Sequence, residues 1–345
     1  MRNIILAALV LAGCTGGKDK EKPTPLPTPT PIPSPTATPI PSPSTSKGPP
    51  WTSGMFKPTA DMARIANTTK WPYCLLFRGA QQTWNDIGKQ VMTDFQNPLC
   101  DNYVFSMAPV PTEARGCTIW AEIADTDHFD AKYVQMAKAL KDRGAPPNMA
   151  IRVGWEIDIG FPWELKACTT EAMASKYKAA FKKIVNILRS NFSPDVKIDW
   201  NVTKESGKLP LPLESYYPGN DAVDFITADY YDFWIDASTP EKFIESANRG
   251  TAERPKGLFR IYEFAVAHGR KFGVPEWGVL NQATQAGQGG DNPVYIDGMA
   301  KFFREHQDNL AYEIYFNSLN FEKRHLLGDD GPNPKSTEAY HRLWK

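Results

Sequence analysis

Met149-Ala150-Ile151-Arg152-Val153-Gly154-Trp155-Glu156 is a short apolar run that ends in a tryptophan and a glutamate. The segment that follows, 170–191, carries Met173, Tyr177, Phe181, Ile184 and Leu188 at three- and four-residue spacing. The first stretch has the length of a buried strand. The second has the period of a helix with one apolar face, opened by Thr170 and Glu171. Working outward, further β-rich runs lie at 53–57, 73–78, 103–109, 197–202, 223–230, 272–277 and 311–317. Helical periods recur at 130–143, 258–268 and 294–306. Eight strands alternating with helices in one domain predict an α/β fold, a (β/α)8 (TIM) barrel. A doubly wound open sheet is the alternative, but no Gly-rich fingerprint follows the first strand.

In barrels of this kind the chemistry sits at the C-terminal ends of the strands. Two such ends carry a glutamate beside a tryptophan: Trp155-Glu156 on strand four, and Pro275-Glu276-Trp277 on strand seven. A carboxylate at the mouth of an apolar strand is expensive to desolvate unless it is paired or used. One such residue alone is equally a strand-end salt bridge. Two that face each other across a barrel mouth suit retaining glycoside cleavage, in which one carboxylate attacks the anomeric carbon and the other protonates the leaving oxygen. Strand alternation puts Arg152 on the same inward side as Glu156, beneath the carboxylates, where its charge would keep Glu276 ionised; a core ion-pair partner is the alternative.

Ten tryptophans and an aromatic share of 12% suggest flat stacking surfaces for sugar rings. Trp120 follows strand three and Trp163 follows strand four. Trp200, with Asn201, ends strand five, and Trp234 follows strand six. Trp155 and Trp277 adjoin the two glutamates. Each alone reads equally well as packing; together at one face they predict an aromatic-lined cleft with these residues binding substrate. Asp291 either binds sugar hydroxyls or caps a turn. His128 and His268 read as helix-end residues, with no triad or zinc context.

The region 51–345 resembles glycoside hydrolase family 26 and its bacterial relatives in clan A. The likeness rests on Ile151–Asp158, on Tyr217–Asp224 followed by Ala228–Asp232, on Phe272–Gly278, and on Gly289-Gly290-Asp291-Asn292-Pro293. The resemblance implies a (β/α)8 barrel, mainly of β-mannanase activity, with some β-glucanases and β-1,3-xylanases. It implies Glu156 as general acid/base, Glu276 as nucleophile, and a strand-six tyrosine, Tyr230 in preference to Tyr231, bonded to the nucleophile. The sequence departs from the family at Trp155, where the mannanases usually have His and many clan members Asn. It departs again at Asp158, where relatives often have Asn. The resemblance therefore carries the mechanism further than it carries the sugar.

The first fifty residues read differently. Residues 1–13 hold Arg2 and then an apolar run from Ile4 to Ala12, too short for a permanent span and suited to a signal peptide. Leu11-Ala12-Gly13-Cys14 resembles the bacterial lipobox, with Cys14 as the lipidated residue; a plain signal peptide is the alternative. Residues 14–50 are a linker with twelve prolines between Pro23 and Pro50, expected to stay extended and to reach roughly 85 Å from a membrane. With Cys14 given to lipid, four cysteines remain. Cys74 and Cys100 precede strands two and three, at the bottom of a barrel, while Cys117 and Cys168 follow strands three and four, at its top. The barrel thus selects disulfides 74–100 and 117–168, with free buried thiols as the alternative.

The chain has 39 basic and 39 acidic residues, and 51–345 alone has 34 and 37, which gives no electrostatic pull toward nucleic acid. No metal-type Cys/His spacing occurs, and the two-carboxylate mechanism requires no cofactor. The expected protein is a monomeric, exported, lipid-anchored surface hydrolase of a β-linked polysaccharide. A non-catalytic carbohydrate-binding lipoprotein on the same barrel is the alternative. A solute-binding protein would show two sheet domains and a hinge, which the single run of eight strands does not.

Overall fold

Eight parallel strands close on one another in the computed structural model: β1 (Ser53–Phe56), β2 (Tyr73–Phe77), β3 (Tyr103–Met107), β4 (Ala150–Val153), β5 (Lys197–Thr203), β6 (Phe225–Tyr231), β7 (Lys271–Gly278) and β8 (Leu310–Tyr315). Each pairs with its sequence neighbours, and β8 returns to β1, so the fold is a (β/α)8 barrel. The structure describes residues 48–77, 81–91, 95–281, 289–318 and 324–344. The signal peptide, Cys14, the linker as far as Lys47, and Arg78 at the end of the second expected strand lie outside the described residues. Among the described residues no helix is long and apolar enough to cross a membrane.

The longest helix, Glu171–Asn191, begins where the sequence reading put it: the Thr170 side chain accepts from the Met173 N–H at 3.3 Å. It buries Tyr177, Phe181, Ile184 and Leu188, while Met173 is only half-buried. The helices Asp130–Asp142, Leu258–Ala267 and Pro293–Glu305 match the other expected periods within a residue. Ala60–Ile65, Trp84–Ile87 and Leu213–Tyr216 are helices of four to six residues, too short to show a period. Disulfides join Cys74, at the start of β2, to Cys100, which precedes β3, and Cys117 to Cys168 after β3 and β4.

Two departures from regular strand geometry matter. The first is in β7. Opposite β6, Thr227 pairs with Gly273 but Tyr230 pairs with Trp277; opposite β8, Glu313 pairs with Val274 but Tyr315 with Trp277. The stretch Val274–Trp277 therefore holds one residue more than either neighbour. Pro275 lies in it and cannot donate to the ladder, so a bulge is the natural solution. The extra residue turns Glu276 inward and Trp277 outward.

The second is in β4, which stops at Val153 and not at Glu156 as expected. Gly154 has φ +75°, and Glu156 itself has φ +49°. A Cβ at Gly154 would be strained by that φ and would lie 3.1 Å from both Pro109 and Trp163. A left-handed glutamate costs on the order of 1–3 kcal/mol, and the contacts described below hold it there.

Outside the barrel, the Glu313 carboxylate accepts indole N–H bonds from Trp277 at 2.5 Å, Trp344 at 3.1 Å and Trp51 at 3.2 Å. Burial raises its pKa from 4.5 to about 7, against the lowering effect of those bonds. The folded state thus holds this proton at pH values where the unfolded chain has released it. The associated stability is present below about 4.5 and is lost as pH rises to about 7. Glu313→Gln should remove this dependence, on the order of 3 kcal/mol, as read by urea denaturation across that pH range.

Candidate active site

The barrel lumen is polar toward its C-terminal end. Arg152 of β4 is fully buried and reaches four acceptors. Nη1 donates to Glu276 Oε1 at 2.6 Å and to Ser106 Oγ at 3.1 Å. Nη2 donates to Asp229 Oδ2 at 2.7 Å and to Asn201 Oδ1 at 2.8 Å. Burial opposes the guanidinium charge, but the Asp229, Glu276 and Asp199 carboxylates outweigh it, so the arginine's pKa is raised. Glu276 is 6% exposed, and its second oxygen accepts the Tyr231 hydroxyl at 2.8 Å. Burial, and then the charge of Glu276, raises the Tyr231 pKa well above the usual phenol range, so it serves as a donor.

Glu156 is half-buried at the mouth, after the two left-handed turns. Its backbone N–H donates to Asn201 Oδ1 at 2.7 Å. The preceding carbonyl, of Trp155, accepts the Trp163 indole N–H at 2.6 Å. The peptide that carries Glu156 is thus gripped on both sides. Asn201 completes its set by donating to Thr227 at 2.9 Å and to Asp229 Oδ1 at 3.1 Å. Burial, then the negative charges of Glu276 and Asp158, lifts the Glu156 pKa well above the usual glutamate value. The pair therefore divides: Glu276 is held by a cation and a hydroxyl, while burial and like charge push Glu156 toward its protonated form. Asp158 is buried beside them, its carboxylate accepting from Thr203 N at 2.7 Å and Thr203 Oγ1 at 2.5 Å. Burial raises its pKa against those bonds.

Half-buried rings surround this centre. Phe56 stacks on Phe316 at 4.4 Å, and Phe77 meets Trp155 edge-on at 5.5 Å. Tyr231 packs on Phe316 and on the His325 imidazole. His325 Nδ1 lies 2.8 Å from the Val279 carbonyl, and burial lowers its pKa to about 4. Among the described residues no group of three or more His, Cys, Asp or Glu side chains is arranged to hold a metal ion.

No family model matches the chain, and no curated protein matches it. Solved structures do. A family 26 β-mannanase from Bacteroides ovatus aligns with TM-score 0.56 and 14% identity, over 86% of this chain and 88% of that one. A modular endo-β-1,4-mannanase from Cellulomonas fimi aligns with TM-score 0.55 and 13% identity, over 85% and 70%. A fungal β-1,4-galactanase aligns with TM-score 0.53 and 10% identity, over 86% and all of its chain. The shared feature is the fold. The chain has the barrel of these glycoside hydrolases.

Within this barrel, most of the expected sugar platforms are core residues. Trp120 is buried against Tyr177. Trp200 is buried on the outer side of β5, its indole donating to the Tyr177 hydroxyl at 2.9 Å. Trp277 points outward to Glu313, and Tyr230 outward between Phe243 and Tyr295. The residue on Glu276 is Tyr231, not Tyr230. Trp163 is buried beneath Trp155, and Asn201 has all its hydrogen-bonding capacity taken by protein groups. Trp155 itself is 5% exposed, at the rim.

Only Trp234 among them is open, at 59% exposure, with φ +54°. Asp291 caps the helix Pro334–Leu343 through Lys335 N and Ser336 N. His128 pairs with Glu122, and His268 ends its helix beside Glu214. Sequence reading missed Asp229, Phe56, Phe77, Phe316 and His325. All but His325, which lies in a loop, follow from carrying inward parity to the end of each strand.

Trp163→Phe tests the grip on Glu156, since it removes one N–H and little volume. It should lower kcat about tenfold on any cleaved glycan and leave KM within about twofold.

Proposed function

We propose that the protein is a retaining β-glycosidase of the family 26 type, acting within a β-linked polysaccharide such as β-mannan or a related β-glucan or xylan. The observation that carries this reading is two glutamates held differently at the barrel mouth: Glu276 on Arg152 and Tyr231, and Glu156 on a peptide gripped by Asn201 and Trp163, with its pKa raised by burial and like charge. In the first step a Glu276 oxygen attacks the anomeric carbon while Glu156 gives its proton to the departing glycosidic oxygen. In the second, the Glu156 carboxylate takes a proton from water, whose oxygen attacks the anomeric carbon and frees Glu276. The Tyr231 hydroxyl and Arg152 hold Glu276 in aim. Trp234 is a sugar platform at the rim, joined by the half-buried rings of Phe56, Phe77 and Phe316.

The two disulfides suit an exported protein. With the leader and Cys14 they support a lipid-anchored enzyme on a Pro-rich stalk, working as a monomer on an extracellular or envelope glycan. The test is sugar release by the full chain from a panel of β-mannans, β-glucans and xylans, beside Glu156→Gln and Glu276→Gln. Cleavage of one polymer, lost in both variants, supports the reading and names the substrate. Binding without cleavage across the panel would favour a carbohydrate-binding protein instead.

A further inference from the structure

Asp229 has no role in the two-step scheme, yet it occupies the centre of the buried network. It is 2% exposed, below the mouth, and its carboxyl shares Arg152 with Glu276. The two nitrogens of one guanidinium hold the two carboxyls side by side, Asp229 Oδ2 at 2.7 Å from Nη2 and Glu276 Oε1 at 2.6 Å from Nη1. The titratable and charged groups facing Asp229 are Arg152 of β4, Glu156 beyond it, Glu276 of β7 and Tyr231 of its own strand. Asp199 of β5 acts on it through Arg152. One guanidinium thus stands against the carboxyls of Asp199, Asp229, Glu276 and Glu156. Two carboxyls drawn to one guanidinium in a largely buried site repel each other, and a shared proton removes that repulsion.

We infer that Asp229 carries that proton at neutral pH and donates its O–H to the Glu276 carboxylate, as a positioning residue for the nucleophile. Two features decide which partner is protonated. Asp229 lies deeper and is the more desolvated of the two. Glu276, nearer the mouth, also accepts a hydroxyl from Tyr231. Burial, and the charges of Glu276 and Glu156, raise the Asp229 pKa well above the ordinary aspartate range, against the lowering effect of Arg152. Asn201 fits the same assignment. Its carbonyl is occupied by Arg152 and by Glu156 N–H, so its amide faces Asp229 as a donor and leaves the Asp229 proton free to point at Glu276. The functional consequence rests on the reading of Glu276 as nucleophile; the proton itself does not.

The test has a spectroscopic arm and a kinetic one, both on the full chain. Infrared spectra with carbonyl-labelled aspartate, at about pH 8, should show a protonated carboxyl band. Asp199 and Asp232, at about 6, are ionised there. The band should vanish in Asp229→Asn, and also in Glu276→Gln, which removes the neighbouring charge. Absence of the band in the wild type, or its survival in both variants, overturns the proposal.

In kinetics, Asp229→Asn keeps an N–H donor and should lose under about tenfold in kcat, whereas Asp229→Leu should lose about 100-fold or more. The alkaline limb of kcat/KM, set by Glu156, should stay in place in Asp229→Asn, because a neutral group replaces a neutral group. A limb moved to lower pH would mean that an ionised Asp229 had been removed, and so would contradict the proposal. A chain that shows the band but cleaves no glycan refutes the hydrolase reading and leaves the protonated aspartate standing.

Discussion

Glu276→Ala is expected to lower kcat by about 10⁴-fold or more, with the fold intact. The fold survives because Arg152 keeps Asp229 as a partner at 2.7 Å, so no buried charge is stranded. The same variant should be partly rescued by azide, a small anion that fits the space the side chain leaves. Azide would then attack the anomeric carbon from the nucleophile's side and give a product of inverted configuration. Glu156→Ala should fail differently. Its loss should be smallest on substrates with good leaving groups, which need no protonation, and azide there should give a product of retained configuration. Identical behaviour of the two variants would contradict their separate roles.

Arg152→Met should be the most damaging change to stability. The side chain is of similar length and fills the same space, but it leaves Glu276 and Asp229 in contact without a cation. Removing one partner of a buried ion pair typically costs about 3–5 kcal/mol. The deficit should shrink as pH falls, because without the guanidinium the buried Glu276 charge has lost its cation, and the cost disappears once that carboxyl also takes up a proton. Urea denaturation of the wild type and the variant at several pH values measures this directly. Arg152→Lys is not a mild alternative, because a single ammonium cannot span Glu276, Asp229, Ser106 and Asn201 with a planar fork.

The strands, the eight-fold alternation and the two glutamates were legible because buried strands leave short apolar runs between helical periods. Arg152 was legible from parity, being four residues before Glu156 on a strand whose last turn preserves the inward direction. The errors came from not applying that parity elsewhere. Trp200, Tyr230 and Trp277 each stand one residue from an inward side chain, namely Asn201, Tyr231 and Glu276. On a strand, one residue is the difference between the site and the packing against the helices. In β7 the parity itself changes at Pro275, a signal visible in the sequence as a proline inside a strand. Trp163 could not be assigned from sequence, because its hydrogen bond to the Trp155 carbonyl depends on how the loop after β4 folds back. The rings that line the mouth are mostly phenylalanines, and a search for tryptophan overlooked them.

In the proposed mechanism Glu276 forms a bond to the sugar and Glu156 moves the protons. The most direct measurement is the anomeric configuration of the first product, followed by proton NMR as the full chain cleaves the β-glycan it prefers. The β-anomer should appear first and mutarotate afterwards. An α-anomer appearing first would mean a single displacement by water, and would contradict the nucleophilic role assigned to Glu276.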